Sequence, residues 1–181
     1  MRKYIVPLLF LAGAGLIGWV AYDYSASGSE VARFELHGTE GSGRLVTLDP
    51  SMNPMRAVLT VSYDIELMEE NNRAFDYSVI MVGPGGMQTF TAEGQQRDKR
   101  EDRTPEYASK TSEQVIKTFD IPAPGDYLLD WRIMPEKAQV TAQAISLRRN
   151  VTPLRVPFLI AGGACILLAF LFLLRSRKRR S

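Results

Sequence analysis

The sequence contains one histidine, and its neighbours include the residue types of a hydrolytic triad. His37 precedes Glu40 and Ser42, so a Ser-His-acid arrangement can be drawn on paper. A triad is recognised by its geometry, however, and no nucleophile elbow or other recognised context surrounds these residues. The glycine-rich segment 38–43 also lacks the Lys-Ser/Thr ending of a phosphate-binding loop. We therefore expect a turn histidine and a protein that is not an enzyme.

Metal-ligating residue types are scarce. The only cysteine, Cys165, lies in an apolar run and a single histidine remains, so a zinc site is not expected. Calcium needs only oxygen ligands, and one polar stretch holds carboxylates that alternate with basic side chains. The carboxylates are Asp98, Glu101, Asp102 and Glu106, and the basic residues are Arg97, Lys99, Arg100 and Arg103. Such alternation is typical of a self-neutralised solvated loop, so we expect neither a metal nor a cofactor.

Two apolar runs, residues 4–22 and 156–174, bracket the chain. A helix of that length rises about 1.5 Å per residue and spans close to the ~30 Å of a hydrocarbon core. Neither run holds an ionisable residue in its interior, which argues against a proton relay or an ion path. The first run could also be a cleaved signal peptide, but it is longer than the usual signal core and no clean Ala-x-Ala site follows it. We therefore predict two transmembrane helices.

Charged residues flanking the runs predict the orientation, because Lys and Arg collect on the cytoplasmic side. They are Arg2 and Lys3 before the first run, and Arg175, Arg177, Lys178, Arg179 and Arg180 after the second. Residues 1–3 and 175–181 are then cytoplasmic, and residues 23–155 form an extracytoplasmic domain. A disulfide-free exported domain suits a bacterial inner membrane. The basic tail is read first as a stop-transfer signal, with contact to the lipid bilayer as a second role.

The net charge of the chain gives no support to nucleic-acid binding. Residues 25–153 hold 14 Lys or Arg against 19 Asp or Glu, a net charge of −5, although the whole chain is +2. The excess of positive charge therefore comes from the membrane flanks, and no nucleic-acid partner is expected.

Small residues recur along both apolar runs and predict close helix packing. Ala14 and Gly18 are four residues apart in the first run, and Ala161, Cys165 and Ala169 form a similar stripe in the second. We expect the two helices to pack on each other here, in preference to a face kept for another protein.

Between the runs the hydrophobic pattern has a period of two, which is typical of β-strands. The clearest strand is 57–67. Further strands are predicted at 31–37, 44–48, 75–82, 87–92, 114–121, 127–134 and 139–149. The apolar face of the last strand changes between Ala144 and Ile145, which indicates either a bulge or a transfer between sheets there. Residues 93–111 show no period and are predicted to form a long exposed loop.

About seven to eight strands with short turns predict an antiparallel β-sandwich flanked by the two helices. Both ends of the domain must return to the same membrane face through short connections. We therefore expect the first and last strands to lie side by side and antiparallel, at the membrane-proximal end.

The closing half of the domain resembles a known family. Phe-Asp-Ile at 119–121 and Pro-Gly-Asp-Tyr-Leu-Leu at 124–129, followed by a strand, a span and a basic tail, resemble the GOLD-type β-sandwiches of the p24 cargo-receptor proteins. The resemblance runs from Gln114 to the C-terminus. It departs from that family in lacking a coiled-coil segment and a disulfide pair, and in adding an N-terminal anchor. It implies a protein-binding sandwich and assigns no functional residue.

Two hypotheses for the function follow. The first is a non-enzymatic accessory or assembly protein whose sandwich binds another membrane or exported protein. Binding would use loops or strand addition at an edge. A second copy of the chain, in a homo-oligomer, is an alternative partner. Its candidate loop residues are Gly83, Pro84, Gly85, Gly86, Met87, Arg97, Arg100, Arg103 and Tyr107. The second is a membrane-tethered ligand-sensing or carbohydrate-binding module. That module needs exposed aromatic side chains among Tyr77, Tyr107, Tyr127 and Trp131, of which Tyr127 and Trp131 are expected in the core.

Overall fold

The computed structural model describes residues 2–66, 71–99 and 107–178. The chain divides into two compact units, Gly28–Val151 and a helical unit of Met1–Ser27 with Thr152–Ser181. The described elements are α1 (Arg2–Ala26), β1 (Ser29–Glu35), β2 (Glu40–Leu48), β3 (Met55–Glu66), β4 (Asn71–Val82), β5 (Gln88–Lys99), β6 (Tyr107–Phe119), β7 (Gly125–Pro135), β8 (Ala138–Arg149) and α2 (Val156–Lys178), with short 3-10 turns at Pro50–Met52 and Pro84–Gly86.

The strands of the β-unit form two four-stranded antiparallel sheets. Their orders are β1-β8-β3-β6 (sheet I) and β2-β7-β4-β5 (sheet II). The first strand therefore pairs with the eighth, the second with the seventh, the third with the sixth and the fourth with the fifth. This is the winding of a jelly roll, in which one long double strand folds over to make two sheets. The predicted all-β antiparallel fold is confirmed, as is the pairing of its first and last strands.

One hydrophobic core lies between the sheets. Alternate residues of β3, from Met55 to Ile65, turn inward and are buried, as the period of two predicted. Aromatic rings meet across the sheets: Tyr63 of β3 lies edge-on to Phe75 of β4 at 5.4 Å, and Phe90 of β5 lies 4.6 Å from Phe119 of β6. These contacts show that the two sheets share one core.

The prediction of a long loop over 93–111 is wrong for every part of it that the structure describes. β5 continues to Lys99, and β6 begins at Tyr107; residues 100–106 lie outside the described residues. The apolar period fails here because inward-facing positions carry polar side chains, Gln96 and Asp98 among them, which bond across the sheets.

The bulge in β8 is present, but three residues earlier than predicted. Its register against β3 shifts between Val140 and Ala142, opposite Tyr63 and Ser62. Val140 packs against the core, whereas Ala142 and Ala144 are on the other face. Alanine is too small to mark a face by its hydrophobicity, which explains the misplaced position.

The helical unit contains two helices long and apolar enough to cross a membrane. The qualifying segments are Ile5–Ala26 and Val156–Arg175, and only 11% of the residues of each apolar window are buried. Large apolar side chains such as Leu11, Leu167 and Phe170 are more than half exposed. The helices therefore present apolar surface outward, unlike the core helices of a soluble protein.

Candidate functional site

The antiparallel strands sort the connections of the β-unit to two opposite ends. We call the base the end at which Gly28 and Val151 begin and finish the unit, together with residues 49–54, 83–87 and 120–124. We call the tip the opposite end, with residues 36–39 and 136–137.

The predicted partner-binding residues are divided between these two ends. Gly83, Pro84, Gly85, Gly86 and Met87 lie at the base, whereas Arg97 and Tyr107 lie toward the tip on β5 and β6. At about 3.3 Å per residue, the intervening length of β5 separates the two groups by about 30 Å. Arg100 and Arg103 lie outside the described residues. The structure therefore does not bring these positions together into one surface.

The turn between β4 and β5 is tightly built. Gly85 and Gly86 have φ angles of 74° and 79°, which side-chain-bearing residues rarely adopt. The Gly83 N–H donates to the Met87 carbonyl at 2.8 Å. A Cβ at Gly83 would lie 2.6 Å from the ring of Tyr127, so the turn packs directly against β7. The Met87 side chain at the end of this turn is 62% exposed.

Uncharged hydrogen bonds hold the other connections of the base. The Asn53 side chain accepts from the Ile121 N–H at 2.7 Å and donates to the Ile121 carbonyl at 3.0 Å. The N–H groups of Asn150 and Val151 donate to the carbonyls of Met52 and Pro54 at 2.9 and 3.0 Å. The base is thus a firmly connected surface around the two points where the chain joins the β-unit.

Asp49 begins the 3-10 turn of the base as its N-cap. Its carboxylate accepts from the backbone N–H of Ser51 at 2.8 Å. Hydrogen bonds from the Ser51 hydroxyl and then the Ser51 N–H hold the pKa of the Asp49 carboxyl below its ordinary value.

A groove of about 580 Å³ opens at the tip. Its apolar lining includes Leu36, Ile133, Ala138 and Val140. Backbone bonds frame it, because the Leu36 N–H donates to the Gln143 carbonyl at 2.9 Å and the Ile133 N–H to the Thr39 carbonyl at 2.7 Å. The Gln143 amide also donates to the Gly38 carbonyl. We call this concavity the tip groove.

The three residues of the hypothetical triad do not share one site. His37 is exposed and lines the tip groove, whereas Ser42 and Glu40 line a second groove of about 500 Å³ on the outer face of sheet II. The Glu40 carboxylate is paired with Arg132 at 3.1 Å. We call this second concavity the outer groove; Ser78 and Asp130 add to its polar lining.

Two of the four candidate aromatic residues are buried. Trp131 is 7% exposed and its indole ring packs on Gly41, while Tyr127 is fully buried and donates to the Ala123 carbonyl at 2.6 Å. Tyr77 is half-buried, and its ring lies over Gly94. Tyr107 is 62% exposed.

A buried polar cluster joins β5 to β6, and the sequence analysis missed it. Asp98 is 7% exposed; it accepts from the Tyr63 hydroxyl at 2.6 Å and from the Lys110 ammonium at 2.7 Å. Next to it, Gln114 donates to Gln96 at 2.6 Å. We call these residues, with Ser112, the seam. Polar side chains at every second position of both strands were the signal for it.

The seam perturbs one of its members. Burial raises the pKa of the Tyr63 hydroxyl above its ordinary value, and the hydrogen bond to the Asp98 carboxylate raises it further. Asp98, expected in a self-neutralised solvated loop, is instead a strand residue that links the two sheets. Among the described residues no group of three or more His, Cys, Asp or Glu side chains could hold a metal ion.

The remaining edges, β1 and β2, both carry register shifts. The pairing of β1 shifts between Glu30 and Ala32, and that of β2 between Gly41 and Arg44. Bulges bend an edge away from an added strand. Strand addition at these edges is therefore less favoured than binding in a groove.

The two helices pack antiparallel, with their closest approach one residue away from the predicted positions. A Cβ at Gly13 would lie 2.6 Å from the Gly162 carbonyl oxygen, whereas one at Gly18 would meet nothing within 4 Å. Ala14 and Ala161 are exposed. Cys165 and Ala169 do lie on the packing side. The Cβ of Cys165 would be 3.2 Å from a Cβ added at Gly13, and Ala169 is 2% exposed. Spacing alone did not tell which of the adjacent small residues faces the other helix.

At one end of this hairpin, Arg155 pairs with Asp23 at 3.7 Å and lies 5.3 Å over the Trp19 ring. Of the topology charges, Arg175 is exposed. Arg179 and Arg180 lie outside the described residues, and the side chains of Arg2, Lys3, Arg177 and Lys178 are likewise not described.

No family model and no curated protein matches the chain. Solved structures that match it include dimeric latent PorU from Porphyromonas gingivalis, at 9% identity over 67% of this chain and 11% of that chain, with a TM-score of 0.28. The VP2 subviral particle of infectious bursal disease virus matches at 5% identity over 74% and 32%, with a TM-score of 0.27. The Gt strain of that virus matches at 10% identity over 69% and 30%, with a TM-score of 0.29. Likenesses this low carry no argument about function, and the GOLD-type resemblance stays a prediction.

Proposed function

We propose that this chain is a non-enzymatic accessory or assembly protein, anchored in a membrane by two helices, whose β-unit binds another membrane or exported protein. Both termini are cytoplasmic in this proposal and the β-unit is extracytoplasmic, with a bacterial inner membrane as the preferred location. The flanking basic residues and the outward apolar surface of both helices support the membrane part.

The tip groove is the observation that carries the binding part. It is concave, its lining includes Leu36, Ile133 and Val140, and it lies at the end of the β-unit opposite the two points where the chain joins it. A volume of about 580 Å³ falls within the usual size of binding cavities. An apolar side chain or a short loop of a partner would fill such a groove.

Site-specific photocrosslinking in the membranes of the cells that make the protein tests this assignment. A photoreactive residue at Gln139, an exposed position of the tip groove, is compared with one at Glu93, an exposed position on the outer face of sheet II. We expect one defined protein adduct from Gln139 and none from Glu93. Equal labelling at both positions, or no protein adduct at Gln139, would contradict binding at the tip groove. An adduct with a second copy of the chain would identify a homo-oligomer as the partner.

The outer groove supports the alternative, a ligand-sensing or carbohydrate-binding module. Its polar lining, with Asp130 and the Glu40–Arg132 pair, suits a small polar ligand. The burial of Trp131 and Tyr127 removes the stacking platform that a carbohydrate site usually has. Trp131 emission in a Trp19→Phe background distinguishes the two: blue-shifted emission that no glycan changes favours the protein-binding proposal.

A further inference from the structure

Strand β8 is longer than its neighbour β1, and the excess lies at the tip. β1 pairs only with residues 144–149 of β8. A bond from the Leu36 N–H to the Gln143 carbonyl, at 2.9 Å, follows this pairing, and the chain then crosses to sheet II. Among the described strands, only β3 pairs with residues 138–142. This stretch of β8 therefore has one open edge, at which the backbone N–H and C=O groups have no described strand as a partner.

The tip groove runs along this open edge. Its lining includes all residues from 138 to 143. Successive side chains of a strand point to opposite faces, so a groove over one face would be lined by every second residue only. The burial pattern also indicates an edge: residues 143–147, which lie beside β1 and Leu36, are all buried, whereas Gln139, Thr141 and Ala142 are exposed. The lining and the burial both place the groove beside the backbone of β8.

The open stretch lacks the charges that usually protect a sheet edge. Natural edge strands are guarded against pairing by charged side chains, proline or bulges. The edge strand β1 contains three charged residues and β2 contains two. Residues 138–143 contain neither a charged residue nor proline, and none of the other residues that line the groove is Asp, Glu, Lys or Arg. Glu136 and Lys137, in the connection beside the groove, are exposed. The groove is therefore suited to an uncharged segment.

We propose that the tip groove binds its partner by strand addition. A short extended segment of the partner, uncharged and with apolar side chains at alternate positions, pairs with residues 138–142 in line with β1. Backbone hydrogen bonds to β8 supply affinity, and the apolar lining, which includes Leu36 and Ile133, receives the alternate side chains. The register shift of β8 against β3, between Val140 and Ala142, interrupts regular pairing, so we expect an added segment of about five residues, or about 17 Å. This inference rests on the proposed function, because it specifies how a partner protein occupies the same groove.

Photocrosslinking at two positions of the open edge tests the inference in the membranes of the cells that make the protein. A photoreactive residue replaces Gln139 in one variant and Thr141 in another, and Glu93 on the outer face of sheet II is the exposed control. Mass spectrometry then identifies the labelled residues of the partner. We expect positions 139 and 141 to label one stretch of about five residues, because paired strands match residue by residue.

The pattern of adducts separates a failure of this inference from a failure of the proposed function. Adducts from positions 139 and 141 in separate segments of the partner, or on one face of a helix of the partner, overturn strand addition and leave the groove as a protein-binding site. No protein adduct from either position, or equal labelling from position 93, overturns the proposed function as well.

A synthetic peptide that copies the crosslinked stretch measures the backbone contribution directly. Alternate N–H groups of a strand point to opposite sides, so only every second N–H of the peptide can bond to β8. One peptide is N-methylated at its odd positions and its matched control at its even positions, and both keep every side chain. We expect one of them to bind the detergent-solubilised full chain at least about tenfold more weakly than the unmodified peptide, and the other to bind nearly as well. Equal affinities of the two methylated peptides, or no binding of the unmodified peptide, would overturn the inference.

Discussion

Side-chain hydrogen bonds hold together both the base and the seam, but the charge of the bonding groups differs between the two regions. At the base, the Asn53 amide and the Tyr127 hydroxyl bond to backbone groups, and none of these groups is charged. At the seam, the Asp98 carboxylate holds the Lys110 ammonium and the Tyr63 hydroxyl. The side chain of Lys110 is 31% exposed and so keeps contact with water. The charged hydrogen bonds of the seam thus lie where one partner stays in contact with water, whereas the neutral hydrogen bonds of Asn53 and Tyr127 lie where the chain enters the β-unit.

Removing the seam carboxylate is expected to have the largest effect on stability. Asp98→Ala deprives the buried Tyr63 hydroxyl and the Lys110 ammonium of their shared acceptor, which should cost about 3 kcal/mol of unfolding free energy. Chemical unfolding of the full chain in nanodiscs measures it. Lys99→Ala, at the exposed neighbouring position, is the control and should stay within about 0.5 kcal/mol of the parent. A loss below about 1 kcal/mol for Asp98→Ala would refute the structural weight given to the seam.

Breaking the base should cost less and should not depend on salt. Asn53→Ala removes two neutral hydrogen bonds to Ile121, so we expect a loss of about 2 kcal/mol that is equal at low and high ionic strength. Hydrogen exchange of the peptides around residue 121 locates the loss. Asp120→Asn, in the same connection, serves as the control. If Asn53→Ala became markedly milder in high salt, the neutral closure of the base would be contradicted.

The contact between the two helices of the helical unit is also made by uncharged groups. Gly13→Ala places a Cβ against the Gly162 carbonyl oxygen and should destabilise the helix pair by about 1–2 kcal/mol. Gly18→Ala meets no neighbouring atom and should be silent. Energy transfer between labels placed on the two helices of the detergent-solubilised chain measures the helix contact in both variants. Equal losses for Gly13→Ala and Gly18→Ala would contradict this contact and would favour the packing face predicted from Ala14 and Gly18.

The smallest expected effect is on the pH dependence of the unfolding free energy, and it involves only the seam. The folded pKa of Tyr63 is raised, so the stabilisation linked to its neutral form is complete below its unfolded pKa of about 10 and is lost as the pH rises above that value. Tyr63→Phe cannot ionise and should lose less stability between pH 9 and pH 11, values that flank about pH 10, than the parent does. Unfolding free energies of the two proteins across this interval test the sign. Parallel pH profiles would show that Tyr63 does not titrate differently in the folded chain.

The sequence predicted what depends on hydrophobic period and missed what depends on polar contacts. The alternation in β3 located a central strand, and the apolar runs located both helices. β5 and β6 were cut short because their inward residues are polar, which leaves no hydrophobic period to read. The separation of Gly83–Met87 from Arg97 and Tyr107 follows from strand direction and length, which residue types alone do not give. The tip groove depends on how β7, β8 and the β1–β2 connection meet in space, so no local pattern indicates it.

The central claim is that the tip groove of the β-unit is where a partner protein binds. A photoreactive residue at Gln139, compared in intact membranes with one at Glu93 on the outer face of sheet II, tests it directly. The account predicts a single defined protein adduct from position 139 and none from position 93. No protein adduct at 139, or the same products from both positions, would contradict it.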